Sequence, residues 1–556
     1  MKTTYLFVLL FSFLAIVHTS CNEDEFLQEE PLDFFSPSNS FVTFENFESS
    51  VVDLYAQFRD YRFHDSQITF AHFYGTDIMF DSRESTTLNR FGDYNITLNP
   101  TSDLPEWHWD RLYKIVTSAN TILNRVEESD LTEVQKTAIA AETRFFRARA
   151  YRTLVYLFGS VPLILEEVTS PQTDFTRASR EDILAQIVED AAFASDNLPS
   201  IGEVADGRVS NLVAQHLLAE TYITLQRYDD AIAATTTVIG DPGTALMTER
   251  FGSRAGEPGD VYYDLFRVGN QNRASGNTEA IWVAQMETDV PGGYLSSTSR
   301  AGNPLERQHA PANHTLLDPD GVPAVLGWRS DLNNGGRGAS FMQPTPFFEN
   351  ELWESNFDND IRNSPFNYVR DFIYDDPASA WFDSSAVVYP GPNLLAQGWR
   401  WYPWLSKVTT PGQHPDPLYI DRDLGLISGA GGSTYTDQYY LRLAEVYLLR
   451  AEAYLGVGNQ ASAAEDINQV RNRANATPVA PAEVTIDYIL DERARELSLE
   501  EERRVTLQRL DKLVERVRLY NAFNSDDIQD HHRLWPIPQA EIEANINAVL
   551  EQNEGY

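Results

Sequence analysis

The sequence predicts a mainly α protein, in which tetratricopeptide-like helical repeats form a scaffold and support a large irregular, loop-rich half. Residues 41–240 and 437–556 carry apolar side chains at helical spacing, and two helical segments within them repeat at a fixed offset. Residues 241–436 are instead rich in Gly, Pro, Asn, Asp and aromatic residues and show little periodicity. We therefore divide the chain into a signal over 1–20, an N-terminal helical region over 21–240, a loop-rich, Trp-rich insertion over 241–436 and a C-terminal helical region over 437–556.

The first region has the layout of an export signal that ends at a cysteine. Lys2 precedes an apolar run from Tyr5 to Val17, and the small pair Thr19-Ser20 comes directly before Cys21, the only cysteine of the chain. An apolar run of about 13 residues is too short to cross a bilayer as a stable helix. We expect cleavage before Cys21 and a lipid on this residue, which would anchor the chain to a membrane. An ordinary secretory signal with a chance cysteine nearby is the alternative.

The charge balance excludes whole classes of partner. The chain has 82 Asp and Glu against 43 Lys and Arg, which gives a formal net charge of −39. Binding of nucleic acid requires clustered Lys and Arg, so we expect no nucleic-acid partner. Docking on anionic lipid by charge is disfavoured for the same reason. Solubility, or adaptation to a salty environment, explains the acidity without a binding role.

Two helices of the N-terminal helical region have clear boundaries in the sequence. Residues 131–158 are predicted to form one long helix, which Gly159 ends and Pro162 follows. Ser179 with Asp182 resembles a capping box that opens a second helix through Leu198. The apolar stripe of the long helix consists of Ala141, Phe145, Ala148, Tyr151, Val155 and Phe158.

The C-terminal helical region contains an echo of the N-terminal one. A helix with an apolar stripe from Tyr440 to Tyr454 closes at Gly456 and Gly458, and a second helix follows to about Ala474. A shift of 232 positions superimposes two such helix–turn–helix segments, and one hairpin cannot bury its own apolar face, so we expect the hairpins to stack. The alternative is that any two antiparallel helix pairs look somewhat alike. The matching pairs are Ala219 with Ala451, Glu220 with Glu452, Tyr222 with Tyr454, Ala231 with Ala463 and Val238 with Val470.

Several segments, taken in order from Cys21 to Tyr556, resemble one family. The first segments are Phe26-Leu27 and Pro31-Leu32, and then residues 141–148 (AETRFFRA) with Tyr151 and Gly159-Ser160-Val161-Pro162-Leu163. The next are residues 443–453 (LAEVYLLRAEA) and the set Ile489, Glu492, Arg493, Glu496, Leu497, Glu500 and Arg503. The last is the ending Leu534-Trp535-Pro536-Ile537-Pro538 with Gln552-Asn553-Glu554-Gly555-Tyr556. With these segments, the chain resembles the SusD/RagB family of outer-membrane nutrient-binding lipoproteins. Any one segment is weak, but all of them at plausible spacing are a specific signal.

The resemblance implies a fold and a role. It implies four tetratricopeptide-like helical pairs that support an irregular half. It also implies a lipoprotein on the cell surface, anchored in the outer membrane at Cys21, which serves as a lid on a TonB-dependent, SusC-like transporter. Members of this family capture oligosaccharides or other nutrients and do not cleave them. Their ligand contacts tend to come from loops in the two regions that correspond here to the first helical region and the insertion.

The candidate ligand residues follow from the chemistry of a sugar ring. Aromatic side chains stack on its flat C–H faces, while carboxylates, amides and guanidinium groups bond its hydroxyls. Seven of the ten tryptophans lie in the insertion. We expect at least two of its tryptophans to stack on ligand; core packing is the alternative for each, and we expect Trp107, Trp109 and Trp535 to be buried. The candidates are Trp328, Arg329, Trp353, Trp381, Trp399, Arg400 and Trp401 from the insertion, and Tyr74, Asp81 and Arg83 from the first region.

Catalytic and metal signatures are largely missing. No G-x-S-x-G, H-E-x-x-H or Walker A sequence occurs, so we predict no catalytic residue. We expect no cofactor. Asp318-Pro319-Asp320-Gly321 and Asp358-Asn359-Asp360 resemble fragments of calcium loops, but turns explain them better, and a structural Ca²⁺ stays open.

The sequence therefore favours a surface glycan-binding lipoprotein and leaves two alternatives. One is a helical-repeat scaffold that assembles proteins and binds no sugar. The other is a surface glycosidase, because the many carboxylates leave room for an opposed pair. The overall acidity makes strongly anionic polysaccharides less expected as ligands, so a neutral glucan is the predicted class, although a local Arg cluster would reverse that.

Overall fold

The computed structural model describes residues 41–83 and 90–556. The predicted signal and Cys21 lie outside the described residues. Within these ranges, no helix combines the length and apolarity that a membrane span requires. The α-helices of the described residues are α1 (Phe44–Phe63), α2 (Tyr94–Thr97), α3 (Asp103–Glu128), α4 (Glu133–Phe158), α5 (Arg180–Asn197), α6 (Asn211–Thr224), α7 (Tyr228–Ile239), α8 (Val261–Asp264), α9 (Leu305–His309), α10 (Pro346–Glu349), α11 (Pro392–Ala396), α12 (Leu443–Gly456), α13 (Gln460–Arg473), α14 (Ile486–Leu497), α15 (Arg503–Arg509), α16 (Leu513–Tyr520) and α17 (Gln539–Ala544).

The long helices form a stacked array. α3 packs against α4, α4 against α5, α5 against α6 and α6 against α7. The array then continues from α7 directly to α12, which packs on α13 and α14. Two helical regions that lie far apart in the sequence are thus one scaffold, and the predicted mainly α, repeat-like fold class is confirmed.

Local sequence explains where these helices begin and end. α4 begins after Thr132, whose side chain accepts a hydrogen bond from the N–H of Gln135 while the Gln135 side chain accepts one from the N–H of Thr132. It ends at Gly159, where a φ of 74° suits a residue without Cβ. α5 follows Ser179, whose Oγ accepts from the N–H of Asp182 at 3.1 Å, as the sequence predicts.

The two echoing hairpins, α6–α7 and α12–α13, share one turn geometry. Gln226 and Gly458 occupy equivalent positions and both adopt the left-handed conformation, with φ of 58° and 76°. In each turn, the N–H of the following residue donates to the carbonyl five residues earlier, at 2.8 Å. The hairpins also contact each other, because Ala219, Ile223, Ala231 and Ala234 form one apolar cluster with Leu449 and Ala453.

A buried ion pair repeats with the hairpins. Glu220 in α6 accepts both arms of the Arg152 guanidinium from α4, and Glu452 in α12 accepts both arms of Arg509 from α15. All four distances are 2.7 Å. Bidentate geometry of this kind fixes the relative rotation of the paired helices as well as their distance.

The strands of the described residues are all short, and all but the first and the last lie in the insertion. They are β1 (Met79–Asp81), which precedes the insertion, then β2 (Ala280–Ala284), β3 (Glu287–Thr288), β4 (Tyr294–Leu295), β5 (Met342–Pro344), β6 (Tyr368–Val369), β7 (Trp404–Leu405), β8 (Tyr419–Asp421), β9 (Leu426–Ile427) and β10 (Gln438–Arg442). In the described residues they form two-stranded ladders, of which β1–β5 joins the first region to the insertion. The insertion also has a small apolar cluster of its own, here called the insertion core: Leu316, Ala324, Val325, Phe372, Tyr374, Ala386 and Trp401.

Buried charges attach the insertion to the scaffold. Arg362 donates to Glu492 at 2.8 Å and to Glu496 at 3.1 Å, both on α14. Arg473 on α13 in turn donates to Glu279, just before β2, at 2.9 Å. Such buried pairs resist displacement, since removing one partner leaves an uncompensated charge away from water. The loops are therefore held on the array at defined positions.

Candidate functional site

A short segment of the insertion, residues 313–318, links two half-buried tryptophans, Trp328 and Trp399. It begins as a 3₁₀ turn over Asn313–Thr315. The Asn313 amide is buried and donates to the Asn334 carbonyl at 3.0 Å, which fixes the turn. Leu316 then enters the insertion core, so the two residues between, His314 and Thr315, are held at the surface of that core.

The first aromatic element of the site is Trp399, which lies in a 3₁₀ turn after α11. The guanidinium carbon of Arg83 lies 3.5 Å from the centre of its ring, and that of Arg400 lies 4.7 Å away. Arg83 stands two residues after β1, and pairing of β1 with β5 brings it beside the Ala339 and Ser340 carbonyls, to which it donates at 2.7 and 3.2 Å. Cation–π attraction to these two guanidinium groups restrains the ring.

The second aromatic element is Trp328. The His314 ring lies on it at 4.4 Å between centroids, and the guanidinium of Arg337 lies 5.2 Å from its centre. Gly429 packs behind it, since a Cβ at that position would lie 3.3 Å from the indole. Among the described residues, Trp328 Nε1, His314 Nδ1 and Arg337 Nε have no hydrogen-bond partner although each atom is sheltered. These three sheltered groups are unsatisfied within this part of the structure.

His314 connects the two elements. Burial, together with the cations Arg337 and Arg400, lowers its pKa to about 4. Both guanidinium groups therefore act on one ring, and Arg400 also donates to the hydroxyl of the neighbouring Thr315. Arg83, His314, Trp328, Arg337, Trp399 and Arg400 form one surface, here called the tryptophan–arginine surface.

A third aromatic patch surrounds Trp381. Its indole N–H donates to Asp320 at 2.9 Å, and its ring meets Tyr389 at 5.1 Å and 45°. Phe382 and Tyr389 are 51% and 48% exposed, which is high for aromatic side chains. The patch rests on the insertion core, against which Trp381 packs.

Comparison with known proteins identifies the family to which this architecture belongs. A family model described as "Starch-binding associating with outer membrane" matches residues 26–223, and one described as "SusD family" matches residues 425–556, together more than half of the chain. The chain belongs to the SusD/RagB family.

Relatives of this SusD-like protein match over nearly their whole length. It is 25% identical to SusD-like protein P25 of Formosa agariphila, over 99% of both chains. It is 24% identical to the starch-binding protein SusD of Bacteroides thetaiotaomicron, over 83% of this chain and 80% of that one. Among solved structures, a laminarin-binding SusD-like protein superimposes with a TM-score of 0.66 at 23% identity, covering 92% of this chain and 99% of that chain.

The structure corrects part of the predicted ligand set. Tyr74 is fully buried and donates to Gln308 at 2.7 Å, and Trp353 is 1% exposed and donates its indole N–H to the Phe348 carbonyl at 2.7 Å. Asp81 is 4% exposed and lies 3.4 Å from Arg90. These three side chains pack in the interior of the SusD-like fold, so no ligand reaches them in this conformation.

Two further candidates have supporting positions. Trp401 belongs to the insertion core and lies beneath the exposed aromatics. Arg329 is half-buried and pairs with Asp375 at 2.8 Å and Asp331 at 3.2 Å, so these two carboxylates already neutralise its charge. Of the predicted set, Arg83, Trp328, Trp399 and Arg400 come together, and Trp381 forms the neighbouring patch.

Sequence reasoning missed His314, Arg337 and Tyr389. Arg337 had a signal, because it stands in the run Gly335-Gly336-Arg337-Gly338. Gly336 has a φ of 75°, and a Cβ on Gly338 would lie 2.4 Å from the Ala310 carbonyl, so this run needs glycine to bring the chain close to α9. For His314 and Tyr389, no local pattern marks the position.

The carboxylates near the site form turns. Asp318 accepts from the N–H groups of Asp320 and Val322, at 3.0 and 2.9 Å, and from the Ser379 hydroxyl at 2.6 Å. Asp360 pairs with Arg362 at 2.7 Å. In residues 41–83 and 90–556, no group of three or more His, Cys, Asp or Glu side chains is placed to hold a metal ion.

Proposed function

We propose that this protein is a cell-surface glycan-binding lipoprotein, which captures oligosaccharides and delivers them to a TonB-dependent, SusC-like transporter of the outer membrane. The observation that supports capture is the tryptophan–arginine surface, which combines two indole rings held by cations with the guanidinium groups of Arg337 and Arg400, which pair with no acid in the described residues. The names of the relatives support the same class of ligand, since one is a starch-binding protein and one binds laminarin.

The geometry suits a sugar chain. Trp328 and Trp399 are flat indoles of the kind on which pyranose C–H groups can stack, and aromatic pairs of comparable contact contribute about 0.5–1.5 kcal/mol beyond surface burial. Arg400 is positioned by Gln397 at 2.8 Å, so its remaining N–H groups are oriented for hydroxyls. Because the side chains are held before the ligand arrives, binding loses little rotamer entropy. The function is binding without cleavage.

The first experiment measures binding of the soluble form that begins at Asn22. A panel of neutral, carboxylated and sulfated polysaccharides is screened by affinity electrophoresis, and hits are measured by calorimetry. We expect one class to bind without release of product, and Trp399→Ala or Trp328→Ala to weaken it about tenfold or more. Product release would indicate the glycosidase alternative, and no binding to any glycan would indicate the scaffold alternative.

A matched control variant is Phe357→Ala. Phe357 is 45% exposed and lies under Arg370 at 4.8 Å, so it is also an open aromatic ring beside a cation. It lies beside Asn356, which accepts from the Thr477 N–H after α13, away from the segment 313–318. Binding that falls equally in Phe357→Ala would show a general loss of aromatic surface rather than a site.

Anchoring has its own test. In a host that processes lipoproteins, an alkyne-labelled fatty acid should label the full chain and not Cys21→Ala, which should leave the membrane fraction. Delivery predicts that the labelled protein co-purifies with a TonB-dependent transporter from solubilised outer membranes. Label on Cys21→Ala, or wild-type protein recovered free of membrane, would contradict the anchor.

A further inference from the structure

We propose that the glycan bound at the tryptophan–arginine surface is anionic, an oligosaccharide whose rings carry carboxylate or sulfate groups. The proposal rests on the proposed glycan-binding function and names its substrate class. It differs from the neutral glucan that the overall charge predicts, because it follows from the local arrangement of guanidinium groups.

Three guanidinium groups at this site lack a carboxylate partner in the described residues. In the described residues, the guanidinium of Arg337 donates no hydrogen bond and pairs with no acid. Arg400 donates only to the neutral side chains of Gln397 and Thr315. The exposed Arg300 donates only to the Gly429 carbonyl, at 3.2 Å. The chain has 82 acidic residues for 43 basic ones, so carboxylates are abundant, yet none pairs with these three.

A guanidinium without an acid is not by itself a site. Arg504 also lacks an acid, but it is buried and its N–H groups donate to the Ala71 and Tyr74 carbonyls and to the Tyr94 hydroxyl. Each of its three nitrogens donates within the fold. Arg337 differs because its donors are unused and because other cations stand around it.

Neighbouring cations repel the guanidinium of Arg337. Burial lowers the pKa of Arg337 to about 10, and Arg300 and Arg307 contribute in the same direction. Arg307 is already neutralised by Asp65 at 2.7 Å. Glu306 opposes the shift, but its oxygens are occupied by the Arg337 backbone N–H, the Thr409 hydroxyl and His414. An anion bound at Arg337 would relieve this repulsion.

Indole rings and guanidinium groups alternate along the tryptophan–arginine surface. Each indole has a guanidinium at its face, Arg337 at Trp328 and Arg83 with Arg400 at Trp399. An acidic sugar has the same two features side by side, a ring face and a planar or tetrahedral anion. Guanidinium binds carboxylate and sulfate in a forked geometry that an isolated hydroxyl cannot use as fully.

The test compares ligands of matched length on the soluble form that begins at Asn22. The probes are an oligogalacturonate, a sulfated galactan oligosaccharide and a neutral laminarin oligosaccharide, each titrated by calorimetry. We expect at least one anionic probe to bind at least about tenfold more tightly than the neutral one. The two anionic probes distinguish carboxylate from sulfate. Neutral binding that equals or exceeds both would overturn the inference and leave the proposed function standing, whereas no binding by any probe would overturn both.

The variants localise the effect. Arg337→Gln and Arg400→Gln should each weaken the anionic ligand about tenfold, with little change for the neutral one. Arg337→Lys should restore part of the affinity, because it keeps the charge and loses the fork. The matched control is Arg370→Gln, since Arg370 also lies over aromatic rings and donates to Asn363 and the Glu349 carbonyl. Equal affinity in Arg337→Gln and the wild type, with both folded, would contradict the inference.

Discussion

At the residue scale, Asp77 links the first region to the C-terminal helices. Its carboxylate accepts from Arg503 on α15 at 2.9 Å and from Arg516 on α16 at 2.7 Å, and all three side chains are buried. The two guanidinium groups lower the pKa of Asp77 to about 2, against the opposing effect of burial. Asp77 stands just before β1, so this contact also fixes the strand that leads to Arg83.

Asp77→Asn should lower the free energy of unfolding by about 3–5 kcal/mol at pH 7, because it leaves two buried cations short of a partner. The pKa of Asp77 is lower in the folded chain than its ordinary 3.8, so the ionised carboxylate stabilises the protein above that pH. This contribution is lost as the pH falls toward 2, and the gap between variant and wild type should narrow from pH 4 to pH 3 in denaturant titrations. Asp530→Asn, at an exposed pair with Arg518, is the control and should cost under about 1 kcal/mol.

The tryptophans show what the sequence could decide and what it could not. Trp535 and Trp109 adjoin periodic helices, and both are buried as predicted. Trp353 and Trp399 stand in similar aperiodic surroundings, yet the first is 1% exposed and the second is open enough to hold Arg83 on its face. In a loop, burial depends on segments farther away in the sequence, here Tyr368, whose ring lies 6.0 Å from that of Trp353, and β5, which positions Arg83 at Trp399, so local composition carries little information about it.

At the element scale, the two echoing hairpins have the same turn geometry although the residue at the turn differs. Gln226 adopts the same left-handed conformation as Gly458, although a side chain disfavours it. Caps and periodicity are local signals, so the sequence predicted the helix boundaries at Thr132, Gly159 and Ser179 and the 232-residue echo. The contact between the two hairpins was predicted only as stacking, since no local signal specifies which face meets which.

Gly458→Ala should destabilise the protein by about 1–2 kcal/mol, through the left-handed backbone alone. A Cβ there meets no atom within 4 Å, so packing does not contribute to the loss. Gly256→Ala is the matched control, because its surroundings are equally open and its φ lies outside the left-handed range. Thermal and denaturant unfolding of the two variants should separate them; equal stability would mean that the turn is not held as described.

At the scale of the whole molecule, long-range and short-range electrostatics oppose each other. The chain carries a net charge of −39, while Arg337 and Arg400 of the tryptophan–arginine surface, and Arg300 near Arg337, pair with no acid in the described residues. Beyond about 10 Å an anionic ligand meets the overall negative field, and within contact distance it meets cations. Composition revealed only the first of these effects, which is why it pointed to a neutral ligand.

This opposition predicts an unusual salt dependence. Raising ionic strength from about 0.01 M to about 0.15 M shortens the screening length from about 30 Å to about 8 Å. For an anionic oligosaccharide we expect the association rate constant to rise over this range, because repulsion by the whole chain is screened. The dissociation rate constant should also rise, because the contacts with Arg337 and Arg400 weaken. Stopped-flow measurements would contradict this view if association slowed with salt, and the neutral probe should show neither trend.

The stacking of α7 on α12 also constrains how the protein is made. A ribosome completes α7 about 200 residues before it begins α12. Until then, Ala231 and Ala234 on α7 lack Leu449 and Ala453, their partners in the apolar cluster. The whole insertion is therefore synthesised while the scaffold is unfinished, and a chain that terminates within it should be a substrate for chaperones and proteases rather than a smaller working protein.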